Sequence, residues 1–323
     1  MTSREERTYD NVKRFWNEEA SQKGQTPQVT VRDHFFRLHE LQVLISLIPF
    51  NCSVLDVGCG TGFSSLIIST KAAQVTAIDY SEEMIRWARL LIGDAEYRED
   101  LLSKFGYQFR SVQPGHVEFL MRDLLQPLKL GRFDIITGQR ILINIATPDE
   151  QLMVLRRLRE HTQANSKMVL VEVTMQGHDY TNQVRSEFHI PPLEKYWRNC
   201  NIDEDSLNRW ESFGWKIKEV LTFDTYMLLS KVIYPAAIGQ EFCKFMSGAN
   251  QAAMEVANLF RTREAVDEIG LKNMLELYLS KVRDYDETEH AKLSDWIVKN
   301  SCALERLQWD GLGHVKLFLC APS

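Results

Sequence analysis

The sequence predicts an α/β fold: a mostly parallel seven-stranded sheet with an N-terminal helical cap and a helical insertion before the last strand. Three observations predict it. Between residues 52 and 173, short apolar runs alternate with segments of helical period, the pattern of parallel strands joined by right-handed crossovers. A glycine cluster follows the first apolar run at once. Three amphipathic stretches separate the last two runs, and they lack strand character.

Residues 1–30 read as a short polar helix and a linker with Gly24 and Pro27. Residues 31–48 place Phe35, Leu38, Leu41, Ile45 and Ile48 at helical spacing, and Pro49 stops that helix. Cys52–Val57 is a short buried strand. A helix follows from Phe63 to Lys71, then strand two at Val75–Asp79. Ser81 caps a helix to about Ile92, with Glu82 and Glu83 at its positive end. Residues 93–116 read as a loop or small insertion. Val117–Met121 and Phe133–Gly138 are strands three and four, a helix runs from Pro148 to about His161, and Met168–Val173 is strand five. Residues 177–210 read as irregular, polar and aromatic. Trp215–Phe223 is strand six, residues 240–308 are helical, and Val315–Cys320 is the final strand. The division is a cap (1–48), a core (49–225), an insertion (226–310) and the last strand of the core (311–323). The insertion reads as a lid over a ligand site or as a dimer surface. The second reading implies a homodimer.

The chain has 323 residues, 44% hydrophobic and 25% charged, which suits a soluble globular protein and excludes a disordered or collagenous one. The net charge is −6 and no Lys/Arg stripe is present, so nucleic acid is not an expected partner. No apolar run reaches the roughly 18 residues a spanning helix needs, so no membrane role is expected. The six cysteines form no C-x-x-C pair. With a polar start lacking an apolar signal core, this points to a reduced, cytoplasmic setting without structural zinc.

The most specific stretch is Val54-Leu55-Asp56-Val57-Gly58-Cys59-Gly60-Thr61-Gly62. Strand, tight turn and helix bring backbone N–H groups close to a nucleotide. A dinucleotide fingerprint needs glycine at position 63, which is Phe63, and a phosphate loop needs a lysine, absent between Asp56 and Ser69. Asp56 just before the glycines would repel phosphates and favours an ammonium or sulfonium, directly or through water. Asp79 ends strand two, where an acid can hold ribose hydroxyls. Asp123 follows strand three, where a carboxylate can take an adenine amino group. Together these acids outline a nucleoside with a cationic tail.

These residues resemble the class I S-adenosylmethionine-dependent methyltransferases, a Rossmann-like family. The resemblance covers roughly 50–175. It implies S-adenosylmethionine as cofactor. It also implies cofactor contacts at Asp56, Gly58, Cys59, Gly60, Gly62, Asp79 and Asp123, with Tyr80, Met84 and Leu124 packing on adenosine. Gln139, after strand four, and Arg32 join this set. Thr30-Val31-Arg32-Asp33-His34 and Arg140-Ile141-Leu142-Ile143-Asn144 are also similar to bacterial methyltransferases of surface-glycan and natural-product clusters. No Asn/Asp-Pro-Pro-Tyr/Phe motif is present, which favours a small-molecule acceptor over a nucleic-acid base. The expected acceptor is an O- or N-nucleophile of a sugar or secondary metabolite. A protein or RNA methyltransferase and a non-catalytic cofactor-binding scaffold are the alternatives.

The candidates for a general base are His178, beyond strand five, His34, at the start of the cap helix, and Glu172, within strand five. Each has a structural reading too: a solvated loop histidine, a part-buried helix residue and a buried hydrogen-bonded acid. Arg140 offers a planar fork to an acceptor carboxylate. Tyr180, Tyr196, Trp197 and Tyr226 are candidates for an aromatic acceptor pocket. No histidine or cysteine spacing suggests a metal.

Overall fold

The computed structural model describes residues 6–24, 26, 29–30, 33–104, 115–239, 247–260 and 263–323. Arg32, Pro27 and Cys243 lie outside them. Helix α1 (Tyr9–Lys23) is capped by the Thr8 hydroxyl, and α2 (His34–Ser46) by the Asp33 carboxylate. The core then runs β1 (Ser53–Val57), α3 (Phe63–Ile68), β2 (Gln74–Asp79), α4 (Glu82–Gly93), α5 (Ala95–Lys104), β3 (His116–Met121), β4 (Phe133–Gln139), α6 (Pro148–Glu160) and β5 (Thr162–Val173). After β5 come α7 (Met175–Glu187), α8 (Arg209–Ser212) and β6 (Trp215–Thr222).

Between β6 and the final strand β7 (Val315–Pro322) the chain is helical: α9 (Asp224–Met227), a π-helical segment (Leu228–Ile233), α10 (Tyr234–Ile238), α11 (Gly248–Leu259), α12 (Arg263–Ile269), α13 (Leu271–Tyr285) and α14 (Glu287–Arg306). Among the described residues no helix is long and apolar enough to cross a membrane.

The seven strands lie in the order β3-β2-β1-β4-β5-β7-β6. β1 to β5 pair in parallel, and β7 runs antiparallel between β5 and β6. The central strands are covered on both faces, which accounts for unbroken apolar runs in place of alternation. In β5, for example, Met168, Val169, Leu170 and Val171 are all fully buried. The order reverses between β1 and β4, the switch point where open α/β sheets bind ligands at the strands' C-terminal ends.

Two expectations are corrected. The stretch 93–116 contains α5 over Ala95–Lys104, started by Asp94, whose carboxylate accepts from Tyr97 N at 3.0 Å. The stretch 177–210 is not irregular at its start: α7 runs through Glu187, capped by Thr174, whose hydroxyl accepts from Gly177 N. Gly177 and β-branched Thr181 lower helix propensity there, and burial of Val184 and Arg185 against the neighbouring segments overrides it.

Candidate active site

The glycine loop is held from three sides. Gly58, Gly60 and Gly62 have φ of 68°, 54° and 81°, the left-handed region that costs other residues energy. A Cβ on Gly58 would meet Ile141 at 2.6 Å, and one on Gly62 would meet Phe119 at 2.7 Å. A Cβ on Gly60 would meet Thr30 Cγ2 at 3.1 Å and Met84 Sδ at 4.0 Å instead. The N–H groups of Gly58 and Cys59 both donate to the Ile78 carbonyl. Cys59 is buried, and burial holds its thiol well above the ordinary range.

Asp79 ends β2 as expected. Its Oδ2 accepts from Gly60 N at 3.0 Å and its Oδ1 from Ser81 N at 2.9 Å. One carboxylate therefore joins the glycine loop to the cap of α4. Burial pushes its carboxyl up to about 6. Asp56 is placed differently from a direct ligand contact. It is buried, and its two oxygens accept from the hydroxyls of Ser65 at 2.5 Å and Thr137 at 2.9 Å. It fastens α3 and β4 to β1, and burial raises its carboxyl to about 6 as well.

Helix α1 lies across this edge. Tyr9 donates its hydroxyl to Asp123 Oδ2 at 2.5 Å, Ser81 donates to Asn17 Oδ1 at 2.6 Å, and Trp16 Nε1 donates to Asn144 Oδ1 at 3.0 Å. The Tyr9 and Tyr80 rings are 6.1 Å apart, and Lys13 Nζ stands about equally far from both, at 5.7 and 5.8 Å. Met84 and Leu124 are buried beneath. On the other side of the loop, Gln139 Oε1 accepts from Ser64 at 2.6 Å, while its buried Nε2 has no partner among the described residues. The buried Tyr80 hydroxyl has none among them either.

Beyond Gln139 the site becomes a cluster of buried charges. Arg140 adopts φ 55° and its guanidinium pairs with the fully buried Glu40 of α2. Arg37 donates to Thr30 at 2.9 Å and lies over the Phe63 ring. Asp33 accepts from Lys231 Nζ at 2.9 Å and from Tyr226 at 2.8 Å. Lys231 belongs to the π-helical segment, so this contact ties the late helices to α2. Single π turns often mark functional places. Apolar spacing along α2 does not single out Asp33, Arg37 or Glu40, and nothing in the sequence marks Lys231. One signal is present all the same: polar residues occupy both sides of the apolar stripe of α2.

Of the three base candidates, Glu172 is fully buried and accepts from the backbone N–H groups of Ile141, Leu142 and Ile143 at 3.0, 2.9 and 3.3 Å. It organises the turn after β4, which is the structural reading and not that of a base reaching an acceptor. Burial nevertheless raises its carboxyl to about 7. His34 is fully buried against Phe35 at the start of α2. His178 is not a solvated loop residue: it sits buried in the first turn of α7, with Nδ1 3.4 Å from Asp179 and its buried Nε2 without a partner among the described residues.

The four aromatic candidates do not form one cage. Tyr226 stacks on Phe36 and serves Asp33. Tyr196 is exposed beneath Arg198, and Trp197 meets Phe15 of α1 edge-on. Tyr180 donates to the Gln308 carbonyl at the far side of α7. Among the described residues no group of three or more His, Cys, Asp or Glu is placed to hold a metal ion.

Comparison with known proteins accords with this geometry. The methyltransferase domain family matches residues 50–254, and the chain belongs to that family. It carries a class I S-adenosylmethionine-dependent methyltransferase domain. Among curated relatives, the O-antigen chain terminator bifunctional methyltransferase/kinase WbdD of Escherichia coli is 32% identical over 119 residues, covering 36% of this chain and 14% of that protein. The magnesium-protoporphyrin O-methyltransferase of Rhodobacter capsulatus is 29% identical, covering 33% of this chain and 41% of the relative. The ubiquinone biosynthesis O-methyltransferase of Xanthomonas axonopodis pv. citri is 30% identical, covering 42% and 47%. The chain thus spans less than half the length of each. A solved N-methyltransferase from Bradyrhizobium japonicum, in complex with S-adenosyl-l-homocysteine, is 14% identical with a TM-score of 0.44, covering 66% of this chain and 90% of its own.

The residues present fit the cofactor. Asp79 offers carboxylate oxygens at the end of β2, and two buried polar atoms without partners among the described residues, Tyr80 Oη and Gln139 Nε2, flank the loop. Such atoms are costly when unsatisfied, and a polar ligand would satisfy them.

Proposed function

We propose that the chain methylates a small-molecule acceptor on oxygen or nitrogen, the acceptor being a sugar or other secondary metabolite. When bound, S-adenosylmethionine supplies an electrophilic methyl group on a sulfonium. Asp79 holds the ribose hydroxyls. Gly58, Gly60 and Gly62, with Cys59, let the backbone approach the amino-acid portion. Tyr80, Met84 and Leu124 surround the adenosine, Asp123 faces the adenine amino group, and Gln139 completes the far side. Asp56 acts through the loop it fastens. Arg140 orients the acceptor together with α2. The helices within 226–310 cover the acceptor and exclude water, the cap being 1–48 and the core 49–225 with 311–323. The protein works in the cytoplasm, on its own or as a homodimer.

The observation that carries this reading is the Asp79 carboxylate, positioned by Gly60 N–H and Ser81 N–H at the sheet's switch point. Two of the relatives are O-methyltransferases by name, one of magnesium-protoporphyrin and one of ubiquinone biosynthesis, and the O-antigen chain terminator supports a glycan acceptor. Asp79→Ala should weaken S-adenosylhomocysteine binding by roughly ten- to a hundredfold, since a charge-assisted hydrogen bond contributes about 1.5–3 kcal/mol. Isothermal calorimetry measures this. Unchanged affinity would overturn the assignment.

A further inference from the structure

Helix α1 supplies none of the cofactor residues proposed above, yet it touches the chain just beyond three of the strands that carry them. Tyr9 donates to Asp123 after β3, Ser81 after β2 donates to Asn17, and Trp16 donates to Asn144 after β4. The Tyr9 ring also lies 6.1 Å from that of Tyr80. Ala20 of α1, Val29 and Met84 pack together, with Trp16 against them, and Met84 is 2% exposed. The positions proposed for adenosine, at Tyr80, Met84 and Asp123, are therefore all contacted by this one helix.

The helix is fastened differently at its two ends. Its C-terminal end sits flush on α4. Trp87 Nε1 donates to the Ala20 carbonyl at 3.1 Å, and a Cβ on Gly24 would meet the Trp87 indole at 2.1 Å. Towards the other end the contacts are mostly polar or cationic. Arg7 donates to the carbonyls of Ala146 and Asn199 at 2.8 and 2.9 Å. The Arg198 guanidinium stands 4.6 Å from the Phe15 ring centroid, 5.3 Å from that of Trp16 and 4.3 Å from that of Tyr196. Trp197 adds an edge-on contact to Phe15 at 6.0 Å. Along α1 only Val12 and Ala20 are buried. A segment with so little buried apolar surface is the kind that opens locally while the rest stays folded.

Arg198 itself stands on fixed ground. Two residues on, Cys200 N donates to the Ile143 carbonyl at 2.7 Å, and the buried Gln151 side chain donates to the Cys200 carbonyl at 2.7 Å. The guanidinium is thus presented to α1 from the body of the core, and the aromatic faces it meets on Phe15 and Trp16 belong to the helix. Contacts of this type hold two surfaces together without burying either.

We propose that α1 is a strap, hinged at Ala20–Gly24, that lifts from the strand ends to let the cofactor in and out, and that Arg198 is its latch. While the strap is down, Tyr9, Asn17 and Trp16 close the approach to the adenosine positions. The association rate is then set by the fraction of molecules in which the strap is raised. The proposal rests on the cofactor placement above and adds control of exchange to it.

The test uses the full-length protein and S-adenosylhomocysteine. Stopped-flow tryptophan fluorescence gives both rate constants, with Trp16 and Trp87 beside the strap as reporters. Arg198→Ala should raise association and dissociation alike, each by about tenfold, because both pass through the raised state. Phe15→Leu, which removes one ring under the guanidinium, should act in the same direction, and Arg198→Lys should fall between parent and Arg198→Ala. In the parent, hydrogen exchange at the amides of Phe15, Trp16 and Asn17 should be at least roughly a hundredfold faster than at Leu55 and Val57 of β1. Arg198→Ala should accelerate the first group and leave the second unchanged. Association within about twofold of the parent in both Arg198→Ala and Phe15→Leu, or a rise in dissociation alone, would overturn the proposal, since an ordinary lost contact acts on dissociation. Equal protection of α1 and β1 in the parent would overturn it too. Failure of the parent to bind S-adenosylhomocysteine would instead sink the cofactor placement, and hydrogen exchange would still decide whether α1 opens.

Discussion

The two halves of the site are built in opposite ways. The cofactor half uses residues close in sequence: the loop from Asp56 to Gly62 and the acid Asp79 belong to consecutive elements of one β-α-β unit. The cluster of buried charges beyond it draws Asp33 from the cap of α2, Glu40 from within α2, Arg140 from beyond β4 and Lys231 from the π-helical segment. A local site can be carried as a motif on one strand and turn. A non-local site exists only after the whole chain has packed. It can therefore vary between relatives that share the loop, as expected when function is grafted on a common fold.

The contrast can be broken most strongly at Lys231. Lys231→Ala leaves the buried Asp33 carboxylate without its cation, and losing one partner of a buried pair costs about 3–5 kcal/mol. Urea denaturation should show that loss. If the halves are independent as described, S-adenosylhomocysteine affinity in the folded variant should change less than about threefold, a loss of roughly 0.7 kcal/mol at most. A larger loss would make the cofactor half dependent on the late helices.

Asp56 sharpens the cofactor side. Its folded carboxyl is raised to about 6 from an ordinary 3.8, chiefly by burial. A raised carboxyl favours the folded state below its unfolded value, and that advantage disappears as pH rises through 6. Asp56→Asn should thus stabilise the protein at pH 8 by about 1–2 kcal/mol and by nothing at pH 3. That is less than the whole displacement would give at roughly 1.4 kcal/mol for each tenfold change in proton affinity. Thermal denaturation at both pH values checks this. A fall in stability at pH 8 would mean that the Ser65 and Thr137 hydroxyls need the anion.

The smallest effect belongs to Tyr9. Its hydroxyl occupies the Asp123 oxygen proposed to face adenine. Tyr9→Phe removes one partly buried hydrogen bond, about 0.5–1.5 kcal/mol of stability. If the hydroxyl and adenine compete for Asp123, cofactor affinity should rise two- to fivefold in calorimetry. A fall would mean that Tyr9 and the nucleoside share the carboxylate.

What is legible in the sequence follows the same division. The strands, the glycine turn and the acid ending β2 are readable because they depend on period, turn chemistry and spacing over some twenty-five positions, Val54 to Asp79. Helix α7 is not, because its first turn contains Gly177, needed for the approach to Gly313 and unfavourable to helix locally. The polar groups of α2 are hidden for a related reason. A buried Glu40 or Arg37 looks like a solvent-facing residue until Arg140 and Thr30 are brought to it from elsewhere. Tyr180, Tyr196, Trp197 and Tyr226 share a composition but not a location, since neighbours in sequence diverge once α7 turns away.

The place of β7 bears on how the protein is made. It supplies both neighbours' pairing, lying between β5 and β6, yet the ribosome synthesises it only after the helices that follow β6. Until then the edge of β5 offers unpaired backbone groups along Met168–Val173, a fully apolar run apart from Glu172. Such an edge is a template for wrong pairing, and slow non-local closure prolongs its exposure. The nascent chain should therefore be most dependent on chaperones during the interval between the emergence of β5 and that of β7.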